Sequence, residues 1–220
     1  MARGLFVTGT DTNVGKTTVA AALMHRYRGR VPLCYWKPIQ TGIEVDDDTA
    51  TVASLGGCRD AEIVRDGVRL PRPVSPHLAA RWQGVTIDLE PLSAVPRLAA
   101  HDAAWIVEGA GGVLVPINDR ETMADLIAAI GLAAVVAART ALGTINHTLL
   151  TLEALKHRGI DVAGVVLIGP ADDGARAAIE RYGHVAILGE MPHFAPLTTT
   201  ALAGWAPALD PQGHLLTWLE

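Results

Sequence analysis

The chain has 220 residues, half of them hydrophobic, only 5% aromatic, with a formal net charge of −5. That length suits one α/β domain, able to bury about 70% of the surface its unfolded form exposes without metal or disulfide staples. The acidic balance and the lack of any basic block argue against a nucleic-acid or acidic-membrane partner.

The first apolar run, Leu5–Thr8, reads as a short buried strand. It leads into Gly9-Thr10-Asp11-Thr12-Asn13-Val14-Gly15-Lys16-Thr17-Thr18, and a helical pattern covers Lys16–Arg28. Strand, tight loop and helix in that order are the setting a phosphate-binding loop requires. Loop N–H groups wrap a β-phosphate at the helix N-terminus, where four donors lack intrahelical partners and the dipole favours negative charge. Lys16 then reaches the β- and γ-phosphates, and the Thr17 hydroxyl is placed as a magnesium ligand. The loop is one residue longer than the usual G-x-x-x-x-G-K-[ST], because Thr10 stands at the first glycine position and Gly9 lies one step further out.

The second strand, Leu33–Lys37, closes in Lys37-Pro38-Ile39-Gln40-Thr41-Gly42. Pro38 fixes the chain leaving the strand, which holds Lys37 at the sheet's upper edge beside the phosphate loop. Only three of the 18 Lys and Arg residues are Lys: Lys16, Lys37 and Lys156. Such a bias makes each lysine look selected for its compact ammonium, which fits against phosphate oxygens. Asp46-Asp47-Asp48 opens a helix over Asp48–Leu55. The helix dipole accounts for two of the three acids, at ~0.3–1 kcal/mol each. A third is available as a hard oxygen ligand for magnesium, and spacing alone does not say which.

Arg69 to Pro76 is proline-rich and reads as a structured excursion over the sheet edge. A helix over Leu89–Ala100 precedes the strand Trp105–Glu108, which ends in a carboxylate and the turn Gly109-Ala110-Gly111-Gly112. That is a Walker B layout, with an acid facing the metal and small residues admitting a ligand to the backbone. Next come a helix over Met123–Ala129 and a strand over Ala133–Ala137, divided by Gly131. The apolar run Leu126 to Ala138 is too short for the ~20 residues a membrane helix needs. Gly143-Thr144-Ile145-Asn146-His147 leads into a helix over Ile145–His157. Its free N–H groups could hold an anion, although on residues alone Thr144 capping the helix and His147 packed inside is the simpler reading. A strand over Val162–Ile168, a helix over Gly174–Tyr182 stopped at Gly183, and a strand over Val185–Leu188 follow. Most strands are continuously apolar, as in a parallel sheet buried on both faces.

The expected fold is therefore α/β: one P-loop NTPase domain over residues 1–220, with a mostly parallel, doubly wound sheet flanked by helices. Cys34 and Cys58 show no metal-like spacing and read as reduced thiols. Arg3 is followed by a short strand rather than a long apolar region, so a soluble, cytoplasmic protein is expected.

Together these motifs resemble the dethiobiotin synthetase family. The matching pieces are G-T-D-T-N-V-G-K-T at 9–17, K-P-I-Q-T-G at 37–42, D-D-T-A at 47–50, S-P-H at 75–77, V-E-G-A-G-G at 107–112, G-T-I-N-H at 143–147 and L-G-E-M-P at 188–192. The resemblance implies an ATP- and Mg2+-dependent ligase of biotin biosynthesis, acting on 7,8-diaminononanoate and CO2 (or bicarbonate) through a carbamate and a carbamic-phosphoric anhydride. By the same resemblance Lys37 is catalytic with Lys16, and Thr17, Asp48 and Glu108 hold Mg2+. Asn13, Val14, Gly15, Lys16, Thr17 and Thr18 cradle the phosphates. Gly109, Ala110 and Gly111 complete the phosphate end of the nucleotide site, and with Ile168 in place of the family's Asn, base recognition is expected from backbone groups around Pro192 and His193. Thr12, Lys37, Thr41 and Gly112 contact the substrate. The resemblance also implies a homodimer in which Gly143, Thr144, Ile145 and Asn146 of the partner subunit bind the substrate carboxylate.

Two stretches depart from the pattern. Ile168 stands where many members carry Asn to recognise adenine, and residues after Phe194 match none of these motifs. The main alternative is a P-loop switch or positioning ATPase of the same superfamily. Such proteins carry an extra lysine near the start of the loop, where Thr10 and Asp11 stand here.

Overall fold

The computed structural model describes residues 2–99 and 102–220. In chain order its elements are β1 (Gly4–Gly9), α1 (Lys16–Tyr27), β2 (Leu33–Trp36), β3 (Ile39–Thr41), α2 (Asp48–Leu55), β4 (Ile63–Val64), β5 (Val68–Leu70), α3 (Pro76–Gln83) and α4 (Leu89–Leu98). There follow β6 (Ala104–Glu108), α5 (Met123–Ile130), β7 (Ala133–Arg139), α6 (Thr144–His157), β8 (Val162–Ile168), α7 (Asp173–Gly183), β9 (Ile187–Met191), α8 (Thr199–Trp205) and α9 (Leu216–Leu219). Seven strands form one sheet in the order β4-β2-β6-β1-β7-β8-β9, and β3 pairs with β5 beside it. Every pairing between these strands is parallel, and an isolated antiparallel bridge joins Pro116 to Thr122 outside them. The doubly wound expectation is met.

The sheet is buried on both sides because successive side chains alternate between faces. Leu5, Val7, Leu33, Tyr35, Ala104 and Ile106 share one apolar layer with α1 and α2. Phe6, Cys34, Trp36, Trp105 and Val107 join the opposite layer, with α3 and α5. There Trp36 and Trp105 meet edge to face at 5.9 Å.

Several boundaries differ from expectation for local reasons. The last strand is Ile187–Met191 rather than Val185–Leu188, because its ladder with β8 runs from Val165 opposite Ile187 to Ile168 opposite Met191. α7 continues through Gly183, and His184 takes the left-handed turn beyond it at φ 50°. α6 is not capped by Thr144. Gly143 at φ 94° occupies the cap and Thr144 is the first helical residue. His147 is exposed, not packed. The expected end of α4 at Ala100 lies outside the described residues. Strands β3, β4 and β5, two or three residues each, are too short for periodicity to register.

The segment after Phe194 closes the α1 face of the sheet. The Thr198 side chain accepts from the Ala201 N–H to cap α8, and Leu202, Leu209, Leu215 and Leu219 are fully buried in the α1 layer. Asp210 ties this tail to the helix. Its Oδ2 accepts from the Tyr27 hydroxyl at 2.5 Å and from the Leu215 N–H at 2.7 Å.

Leu202→Ala should therefore cost about 2–5 kcal/mol in urea unfolding, from lost burial plus the cavity left behind. Leu98→Ala, at a side chain 81% exposed, should stay within about 0.5 kcal/mol of the parent. Equal effects would contradict the packing described.

Candidate active site

β1 delivers the chain to the loop at Gly9, where a Cβ would come within 2.6 Å of Val14 Cγ2. The Thr10 N–H donates to the Ala137 carbonyl at 3.0 Å, which anchors the extra residue against β7. The loop then turns through two left-handed residues, Asn13 at φ 58° and Gly15 at φ 99°. Gly15 caps α1 and leaves the helix's first N–H groups facing the cleft. Lys16, 7% exposed, donates from Nζ to the Asp11 carbonyl at 2.8 Å. Asp11 Oδ2 also pairs with Arg139 at 3.3 Å.

Strand parity brings the next groups together. Lys37 follows Leu33 and Tyr35 by even steps, and Glu108 follows Ala104 and Ile106, so both aim at the α1 face. β2 and β6 are neighbours with Tyr35 opposite Ile106, and Val7 of β1 lies opposite Glu108. Lys37 Nζ sits 2.5 Å from Asp48 Oδ2 and 2.7 Å from Glu108 Oε1, and also donates to the Gly109 carbonyl at 3.2 Å. Thr17 Oγ1 lies 2.9 Å from both Asp48 Oδ1 and Glu108 Oε1. Glu108 is fully buried, and its Oε2 accepts from the Tyr35 hydroxyl at 2.8 Å.

The choice among the three aspartates is now plain. Asp47 caps α2 by accepting from the Ala50 N–H at 3.0 Å, Asp46 is exposed, and Asp48 turns inward to Thr17 and Lys37.

Charge states follow from this packing. Burial, then the neighbouring Lys37 ammonium, lowers Lys16 to about 8 despite the carboxylates nearby. Burial also opposes the charge on Lys37, but Glu108 and Asp48 outweigh it and hold this lysine above its ordinary value. Burial would likewise raise the Asp48 carboxyl, yet Lys37 and the Thr17 hydroxyl keep it below the usual carboxylate value. Burial and the Glu108 charge push Tyr35 well above the normal phenol range, so it remains a donor.

These groups line a cleft of about 810 Å3, together with Thr12, Asn13, Gly15, Thr41, Ala110 and Gly111. Lys16, Lys37 and Glu108, which the sequence placed on three separate elements, thus face one space. Val14 is buried in the core, and Thr18 lies on the first turn of α1. Gly112 borders the loop, since a Cβ there would lie 3.5 Å from the Thr10 carbonyl oxygen. Pro192 and His193 are exposed beyond β9 and do not line the cleft. Gly143, Ile145 and Asn146 are also exposed and outside it, while Thr144 is buried with its hydroxyl unpartnered.

Sequence reading missed several contributors. Tyr35 holds Glu108. The Arg69 guanidinium donates to the Lys37 carbonyl at 2.9 Å. Gln40, 3% exposed, donates to the Thr41 and Asp46 carbonyls at 3.0 and 3.4 Å. Val45, Pro73, Val74, Pro76 and Val115 form an apolar lip. Tyr35 carried a usable signal, since it shares parity with Lys37, and Gln40 and Pro76 stood inside matched motifs without a role being read for them.

The donor set fits magnesium. Two carboxylates and a hydroxyl meeting at the phosphate loop are the hard oxygens that ion takes, and phosphate oxygens and water would fill the remaining positions. Among the described residues no group of three or more His, Cys, Asp or Glu side chains could hold a metal unaided.

A family model described as an AAA domain matches residues 3–201. The ATP-dependent dethiobiotin synthetase BioD of Agrobacterium fabrum is 47% identical over 196 residues, covering 89% of each chain. That of Paramagnetospirillum magneticum is 47% identical over 93% of this chain and 95% of its own. Among solved structures, a ParA family ATPase from Chlorobium tepidum superposes with a TM-score of 0.57 at 13% identity, covering 99% of this chain and 97% of that one. At that identity the likeness speaks for the fold alone.

The lowered Lys16 gives a pH prediction. The free ammonium loses its proton at about 8, whereas one paired with phosphate keeps it to higher pH. Linkage then makes ADP affinity greatest below pH 8, falling by up to about tenfold per unit above it. Calorimetric titration from about pH 7 to about pH 9.5 should show this fall, and Lys16→Met should remove it. A flat profile would contradict the placement of Lys16.

Proposed function

The chain belongs to the dethiobiotin synthetase family, and from that premise we infer that it is an ATP-dependent cyclo-ligase converting 7,8-diaminononanoate and CO2 to dethiobiotin in biotin biosynthesis. What most supports this reading is the meeting of Thr17, Lys37, Asp48 and Glu108 within hydrogen-bond reach at the phosphate loop.

One amine of diaminononanoate takes up CO2 and becomes a carbamate. A carbamate oxygen attacks the γ-phosphorus of ATP, the bond to the β-phosphate oxygen breaks, and ADP leaves. The second amine attacks the carbonyl carbon of the resulting anhydride, inorganic phosphate departs, and a five-membered cyclic urea remains. Carbamate and γ-phosphate are both anions, so their approach costs on the order of several kcal/mol unless cations stand between them. Lys16 and Lys37 supply those charges from the protein. Lys37 exchanges its carboxylate partners for anionic oxygens of the reactants, and the N–H groups following Gly15 hold the transferring phosphates. Thr17, Asp48 and Glu108 would hold Mg2+, which would supply further positive charge to the phosphates. The apolar lip from Val45 to Val115 carries the aliphatic chain of the substrate, and Thr41 lines the same site. Holding the second amine in one geometry favours ring closure.

We assign the protein a cytoplasmic location and a homodimeric state. Among the described residues no helix is long and apolar enough to cross a membrane. At the start of α6, Leu142 is fully exposed and Ile145 is 37% exposed, as expected of a face that a second subunit covers. Gly143 to Asn146 on that face bind the substrate carboxylate across the interface.

Ile168 shapes nucleotide choice. A Cβ on Gly15 would lie 3.4 Å from its side chain, so it packs on the phosphate loop and offers a base no hydrogen bond. ATP and CTP should therefore support dethiobiotin formation within about tenfold of each other, and a strong preference for ATP in steady-state assays would contradict this. The principal test follows ADP release with and without diaminononanoate and bicarbonate. Turnover should require both, and Lys37→Ala should lower it by about 10²–10³ while circular dichroism shows the fold retained. Substrate-independent ATP turnover at a similar rate would instead favour a switch ATPase.

A further inference from the structure

We propose that Tyr35 is a positioning residue for the ligase reaction: its phenol fixes the Glu108 carboxylate so that one defined oxygen serves the cation site. This rests on the functional reading above. A glutamate's terminal torsion is broad and roughly two-fold, so nothing within the side chain decides which oxygen faces the cleft. Here the partners decide. Oε1 accepts from Lys37 Nζ at 2.7 Å and lies 2.9 Å from Thr17 Oγ1, whose single proton it shares with Asp48 Oδ1, whereas Oε2 accepts from the Tyr35 hydroxyl at 2.8 Å.

Tyr35 and Glu108 are both fully buried, so bulk water cannot replace the phenol. Tyr35 lies opposite Ile106 on the neighbouring strand, two residues before Glu108 and on the same face. Its ring therefore spans about one repeat of the strand and meets the carboxylate from the core side. Without that donor, Oε2 would be a buried charged acceptor left unmatched. The carboxylate would regain hydrogen bonds by rotating towards Lys37 and Thr17, which moves the oxygen offered to Mg2+. Partners that orient a metal-binding group commonly change metal affinity by about 10–100-fold when removed.

A buried tyrosine whose hydroxyl simply finds an acceptor would serve stability alone, and Tyr27, which donates to buried Asp210 at 2.5 Å, provides the control. The experiment measures ADP binding by calorimetry over a range of Mg2+ concentrations, for the parent, Tyr35→Phe and Tyr27→Phe, at a temperature where circular dichroism shows each folded. Steady-state kinetics follow at saturating ATP. In Tyr35→Phe the half-saturating Mg2+ concentration should rise about tenfold, and kcat should fall with little change in the KM for diaminononanoate. Tyr27→Phe should lower Tm without moving the Mg2+ dependence.

Equal Mg2+ dependence in parent and Tyr35→Phe overturns the assignment while leaving the ligase reading intact. So does a shift of the same size in Tyr27→Phe, or a Tyr35→Phe chain that does not fold at any temperature. If ADP binding to the parent is indifferent to Mg2+, the cation site itself is misplaced and this assignment falls with it.

Discussion

Burying the Lys37 ammonium to 2% exposure requires that its charge be matched from within the protein. Asp48 and Glu108 do this at 2.5 and 2.7 Å, and Thr17 bridges the two carboxylates. Removing one side of such a pair leaves a buried charge uncompensated, at about 3–5 kcal/mol. The four residues come from the start of α1, the residue just after β2, the start of α2 and the end of β6. Their meeting therefore depends on the register of β2 against β6 and on both helices docking on the same face of the sheet. A change that slips any of these elements opens the cluster and is felt twice, in stability and in the site.

The same constraint prepares the chemistry. In the proposed reaction, phosphate, carbamate and a divalent cation would meet charges already stripped of water, so binding would exchange one set of ionic partners for another. Lys16 and Lys37 differ usefully here. Burial and the neighbouring Lys37 ammonium lower Lys16 to about 8 against the pull of nearby carboxylates, while Glu108 and Asp48 overcome burial and hold Lys37 above its ordinary value. One lysine gains on meeting phosphate, and the other must be drawn from its partners.

Much of this was legible in the residues, and the limits have physical causes. The phosphate loop, Lys37 and Glu108 are readable because each ends or follows a buried strand, where parity and the carboxyl-end rule settle orientation. On spacing alone Asp46, Asp47 and Asp48 could not be told apart, because capping depends on the backbone angles of one residue and adjacent acids have the same composition; only the family resemblance singled out Asp48. Tyr35 passed as core, although its parity with Lys37 was visible. Gln40 and Arg69 act through β3 and β5, whose pairing joins segments almost thirty residues apart and leaves no periodic trace. The tail from Thr198 onward carries no motif at all, and its role appears only where Leu202 to Leu219 cover the α1 face. At the start of α6, a glycine in the left-handed region took the cap that Thr144 was expected to provide.

The central claim is that Thr17, Asp48 and Glu108 hold the cation while Lys37 turns to the transferred phosphate. Anomalous diffraction from crystals grown with Mn2+ and a non-hydrolysable ATP analogue tests it most directly. The account predicts one strong manganese peak bounded by those three side chains, with the Lys37 ammonium moved off the carboxylates towards the γ-phosphate. A peak elsewhere along the nucleotide, or a Lys37 still bridging Asp48 and Glu108, would contradict it.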